Sequence, residues 1–161
     1  MKPRDSKNKG KDQTLKQVKF NLRKTKKHHY DISPVKQKHS KIVKEFLKTL
    51  DMIKLYHWKT DSYATHEATD ELHEHLSKNI DQFVEVLMGK NGTRVKLLDH
   101  HLHLYRVTTK TQFKNKIYEF RQFLIDLERT FDPNTDGDIF TIRDEMLVHI
   151  NQFLYLLTLN K

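Results

Sequence analysis

Residues 57–85 read HWKTDSYATHEATDELHEHLSKNIDQFVE, and this stretch decides the fold. From Ser62 onward Ala, Leu, Glu and Lys are frequent, and neither Gly nor Pro appears before Gly89, so a long helix is expected. A helix turns by about 100° per residue. With His66 at zero, Asp70 falls at about 40°, Asp81 at about 60° and Glu85 at about 100°. Four side chains that can ligate a metal therefore share one stripe. Leu72, Leu76, Ile80, Phe83, Val84 and Leu87 fall on the adjoining arc, which marks the core side. Asp70 and Glu85 are about 22 Å apart along such a helix, too far to close on one ion. A shared site therefore needs a second helix or a second copy of this one.

Working outward, the flanks supply three more helices. On the N-terminal side, Ser40 is a candidate N-cap, and Ile42, Val43, Phe46, Leu47, Leu50 and Ile53 follow 3–4 spacing. The stripe continues to His57, which should point inward; Tyr56 and Trp58 beside it are expected in the core. On the C-terminal side, Gly89-Lys90-Asn91-Gly92 carries the chemistry of a helix end. Residues 93–109 could be a packed loop, a short helix or a short strand; His100, His101 and His103 invite a metal reading, but without carboxylate company they are expected to be surface or loop histidines. Phe113, Ile117, Phe120, Leu124 and Leu127 define a third helix over about 111–129. A fourth runs from about Asp138 to Leu159 on Phe140, Met146, Leu147, Ile150, Phe153, Leu154 and Leu157. Its Glu145 and His149 could touch a metal, although a surface or interhelix hydrogen bond is the plainer expectation. Between helices three and four, Asp132-Pro133-Asn134-Thr135-Asp136-Gly137-Asp138 imitates the start of an EF-hand loop. Position twelve is Arg143 in place of the bidentate Glu, so a capped turn is expected instead. The expected fold class is all-α, an antiparallel four-helix bundle.

Composition bounds the function. The 161 residues carry 32% charged and 36% hydrophobic side chains, with no cysteine, which excludes disulfides and Cys-based zinc sites. No apolar run reaches the length of a membrane span, no signal peptide is visible, and an intracellular protein is expected. The net charge of +9 divides unevenly: residues 1–44 carry +12 and residues 45–161 carry −3. Residues 1–38 read as a disordered basic arm ahead of a folded domain at 39–161. The arm holds Lys2, Arg4, Lys7, Lys9, Lys11, Lys16, Lys19, Arg23, Lys24, Lys26 and Lys27. Such a cation density fits DNA or another polyanion, bound through phosphate neutralisation and counterion release. A solubilising tail is the alternative.

His57-Trp58, His66-Glu67-x-x-Asp70 and Asp81-x-x-x-Glu85 together resemble the Dps miniferritins of the ferritin-like superfamily. The spacing from His66 through Glu85 is theirs, and residues 137–159 resemble their last helix. The interval from His57 to His66 is shorter than their usual loop. Over residues 40–160 the resemblance implies a ferritin-like bundle and an iron-binding ferroxidase, with a di-iron centre shared across a two-fold axis. His57, His66 and Asp70 would come from one subunit, Asp81 and Glu85 from its mate. It further implies a homo-oligomer of two-fold dimers, a dodecamer in that family, and DNA binding by the basic arm. The chain looks closer still to an uncharacterised ferritin-like family of large DNA viruses, which implies the host cytoplasm or nucleus, or the virion. On that second resemblance the alternative is a non-enzymatic structural protein that packages a genome and uses the bundle as an oligomerisation module.

Overall fold

The computed structural model describes residues 34–98 and 101–159. The eleven cations of the arm and His100 lie outside the described residues. Four helices pack around one apolar core: α1 (Pro34–Lys59), α2 (Tyr63–Asn91), α3 (Lys110–Ile125) and α4 (Gly137–Leu159). A 3-10 turn, Asp126–Arg129, tightens the chain after α3, and no strand is present among the described residues.

The helix ends follow local chemistry. α1 begins at Pro34, earlier than the Ser40 cap expected from the sequence, because proline's fixed φ and missing N–H suit a first helical residue. Ser40 is instead buried within α1, where its hydroxyl accepts the backbone N–H of Leu98 at 3.1 Å. The side chain of Ser62 caps α2 by accepting the N–H of Thr65. α2 runs through Gly89 and stops at Gly92, whose φ of 60° only glycine adopts at little cost. Thr109 caps α3 through the N–H of Gln112. The EF-hand-like run is a turn, as expected: the Asp132 carboxylate takes the N–H and side-chain amide of Asn134, and Asp136 takes the N–H of Asp132. Arg143, at the failed ligand position, is buried and donates to Glu128 at 3.1 Å.

Side-chain pairs fix the helix directions. His57 meets His66 and Phe46 meets Phe83, so α1 and α2 run in opposite directions. Asn79 meets Glu145 and Lys90 meets Asp138, which sets α4 against α2. Tyr56 stacks on Phe113 and Phe46 meets Phe120, so α3 opposes α1 and shares the direction of α2. Two consecutive helices pointing the same way require a long return. Residues 92–109 supply it as an irregular strap, neither helix nor strand where described. The strap follows α1 from Ser40, past Glu45 and Lys48, to Lys59, whose ammonium donates to the carbonyl of Thr108 at 2.9 Å. Its clasp is Tyr105: the hydroxyl donates to Glu45 and accepts from Lys48, and the Lys48 ammonium lies 4.0 Å from the ring centre.

The core is rich in aromatic rings. Phe46 is fully buried and meets Phe83 edge-on at 5.1 Å and Phe120 at 6.2 Å. Trp58 departs from expectation: it is 69% exposed. One residue past His57 it is rotated by about 100°, and His57 takes the inward direction.

Phe46→Ala should cost about 3–5 kcal/mol in urea denaturation, because three helices meet on that ring. Tyr105→Phe should cost about 1 kcal/mol, the net worth of a hydrogen bond. A larger loss for Tyr105→Phe than for Phe46→Ala would show that the strap, not the ring cluster, dominates stability.

Candidate metal centre

The α1–α2 connection is three residues long, so the last turn of α1 lies directly against the first turns of α2. His57 and His66 face each other there, with ring centres 3.8 Å apart and planes 24° from parallel. Each ring is held by the other residue's backbone. His57 Nδ1 lies 3.0 Å from the His66 carbonyl, and His66 Nδ1 lies 3.1 Å from the His57 carbonyl. A carbonyl only accepts, so Nδ1 carries the proton in both neutral rings and the Nε2 lone pair stays available. Backbone anchoring of one ring nitrogen is the usual support of a metal-ligating histidine. Thr69 adds to the cradle: its one hydroxyl proton is shared between the carbonyls of Thr65 and His66, at 2.8 and 2.9 Å, and the oxygen sits 3.4 Å from His57 Nδ1.

Asp70 completes this end. Its carboxylate is 3.7 Å from His57 Nε2, and Lys54 donates to the same oxygen at 2.8 Å. The Lys54 hydrogen bond, and behind it the Lys54 charge, hold the Asp70 carboxyl below its ordinary range. His73, one helical turn on, is pushed down by burial and then by the Lys54 charge. Lys54, Thr69 and His73 were not picked out by the sequence reading. Lys54 could have been, because it precedes His57 by three residues and therefore shares its face.

Asp81 and Glu85 lie further along α2, both exposed. Asp81 borders an open groove with Val43, Leu47 and Leu50 of α1 and Val84 of α2. The distance along α2 from Asp70 to Asp81 is about 16 Å, so one copy of the chain divides the five residues into two groups. His57, His66 and Asp70 form one; Asp81 and Glu85 form the other. Among the described residues, no three His, Asp or Glu side chains converge as a metal site within a single chain.

A second histidine pair lies between α2 and α4. His75 and His149 stack at 4.0 Å, 6° from parallel, with Glu71 3.8 Å from His75. Glu145 takes the side-chain amide of Asn79 at 2.8 Å, the interhelix hydrogen bond expected of it. Burial, then the facing charge of His75, pushes the His149 imidazole below its ordinary range, while Glu145 and Glu71 oppose that shift. Folded protein thus binds this proton less readily than unfolded chain. Stability should fall as pH drops through about 6.5, the unfolded value, and level off below the lowered folded value. His39 and His73 are displaced in the same direction. Urea midpoints measured from pH 7.5 to 5.5 should decline, and His149→Gln should flatten part of that slope. An unchanged slope in the variant would remove His149 from the account.

No curated protein and no solved structure matches the chain. One family of unknown function, DUF5856, matches residues 57–157, a span that begins at His57 and contains every residue of both groups. The chain is a member of the DUF5856 family.

Proposed function

We propose that this chain is a Dps-like, iron-binding miniferritin that oxidises Fe(II) at a site completed by two copies, and that its basic arm binds DNA or another polyanion. The observation that carries the reading is the His57–His66 pair, whose reciprocal Nδ1–carbonyl bonds leave the Nε2 of each ring without its proton, that of His57 3.7 Å from the Asp70 carboxylate. Mixed imidazole and carboxylate donors suit non-haem iron. The helix directions support the reading too: an antiparallel four-helix bundle with one lengthwise crossing between its second and third helices is the ferritin-like arrangement.

In this reading Fe(II) is the substrate. His57, His66 and Asp70 of one subunit hold one side of each centre. Asp81 and Glu85 of the two-fold mate close the other, so every dimer builds two centres. Two Fe(II) ions give up one electron each, and an oxidant such as peroxide takes both. The carboxylates suit the harder ferric product. Trp58, exposed beside His57, would intercept radicals in this reading. Lys54 holds the first cationic position at Asp70 and must release the carboxylate when iron arrives. Twelve subunits would form the shell. The site of action would be the cytoplasm or nucleus of a host cell, or a virion.

A second reading rests on the same lysine. With Lys54 neutralising Asp70, that carboxylate is balanced without any metal. The protein would then be a non-enzymatic packaging element, its helices serving assembly and its arm the genome.

Fe(II) oxidation followed by absorbance separates the two. Asp81→Ala with Glu85→Ala should lower the rate by at least about tenfold, as loss of ligating or supporting groups does elsewhere. Lys54→Met should raise the rate at low Fe(II) by freeing Asp70. Wild-type oxidation no faster than buffer would sink the ferroxidase reading.

The arm has its own test. Because α1 starts at Pro34, the cut belongs after residue 33. Full-length protein should shift DNA with log affinity falling by about 0.9 per phosphate contacted for each unit of log salt. The truncated chain should fold, yet fail to shift DNA at ~100 mM salt, where only close ionic contacts survive. A truncated protein with an unchanged salt slope would remove the arm as the binding element.

A further inference from the structure

α4 differs from the rest of this chain. In a protein with 32% charged residues, residues 146–159 contain no Asp, Glu, Lys or Arg. The inner face of α4 meets the core through Ile139, Met146, Ile150, Phe153 and Leu157. The outer face should then be polar, as on an ordinary surface helix. Three large apolar residues interrupt it: Val148 is 62% exposed, Tyr155 62% and Leu159 61%, among polar Thr141, Asp144, Glu145, Asn151, Gln152 and Thr158.

These residues are not scattered. Thr141, Glu145, Val148, Gln152, Tyr155 and Leu159 are all exposed and recur at spacings of four and three. Strict 3–4 alternation is the seam pattern of one helix packed along another. A single row of this kind fits a helix as its occupant.

We infer that this row is where a second copy of the chain docks, α4 against α4 in antiparallel register across a two-fold axis at Gln152. From Glu145 to Leu159 the row is symmetric about that residue, with positions three or four and seven residues away on either side; Thr141 has no counterpart. The axis sets Val148 of each copy against Tyr155 of the other. Gln152 meets itself, and a carboxamide, being both donor and acceptor, satisfies its own copy. The one charge in the row, Glu145, is already tied back to Asn79 on α2. Nothing in the row repels its own image, which is the demand an isologous interface makes. The folded part carries a net charge near zero, so approach of two copies is not opposed. Six residues a side bury less than the ~800 Å² per partner of a standard interface, so the pairing is concentration-dependent. It uses a helix face distinct from the groove beside Asp81 and does not depend on the metal reading.

The chain has no cysteine, which makes the test direct. Gln152→Cys in the full-length protein should form a disulfide dimer about tenfold faster than Asn115→Cys, an exposed control on α3, because docking raises local thiol concentration. Tyr155→Glu added to Gln152→Cys should erase that advantage while leaving the circular-dichroism spectrum unchanged. Sedimentation velocity should show the unsubstituted protein growing in size with concentration, and less so with Tyr155→Glu. Equal crosslinking at positions 152 and 115 overturns the inference, whatever oligomer is present. A foreign protein or a lipid would then be the occupant of this face. An advantage at 152 that survives Tyr155→Glu overturns it as well.

Discussion

The three-residue connection between α1 and α2 governs what the rest of the chain can do. It forces the two helices into an antiparallel hairpin and presses the end of α1 onto the start of α2. Two backbone carbonyls that face each other across this joint each receive a histidine ring. The hairpin also buries Phe46 against Phe83, which starts the aromatic cluster that α3 joins through Phe120. Once α1 and α2 are set, α3 can oppose α1 only by way of a strap as long as the hairpin.

The electrostatics at the joint follow from the same closeness. Asp70 reaches across to α1, where Lys54 and His57 lie on one face. A lysine at that place gives the carboxylate a counter-ion from within the protein. Any external cation has to compete with an ammonium group tethered at 2.8 Å. The groups on this flank are therefore graded in availability. His57 Nε2 lies beside Asp70, Asp70 is held by Lys54, and Asp81 and Glu85 are exposed further along α2.

Much of this was legible in the sequence because helices repeat. The 3.6-residue period placed all four helices, turned Phe46, Phe83, Phe113 and Phe120 inward, and aligned His66, Asp70, Asp81 and Glu85 on one flank. The failures have physical causes. Ser40 looked like a cap because caps are read locally, yet Pro34 upstream begins the helix and leaves Ser40 free to bind the strap. Trp58 looked like core because it is large and apolar, but at the end of α1 the period gives the inward direction to His57. The strap could not be read because no period governs it. Its course depends on single long-range contacts such as Tyr105 with Glu45 and Lys48. Lys54 was missed because its partner is sixteen residues away on another helix.

The strap also has a consequence for the order in which the chain folds. Contacts inside the hairpin span fewer residues, from nine between His57 and His66 to 37 between Phe46 and Phe83. The contacts that seat α3 span far more, with Tyr56 against Phe113 and Phe46 against Phe120. Loop-closure entropy grows with that separation, and rates fall as contacts become less local. The hairpin is thus the natural nucleus, and α3 arrives against a partner already formed. The strap is laid down last, over a surface already built, and its few clasping bonds should be the first to open in the native state. Amide exchange along residues 93–109 would then run far ahead of exchange in α2, although both are parts of one folded body.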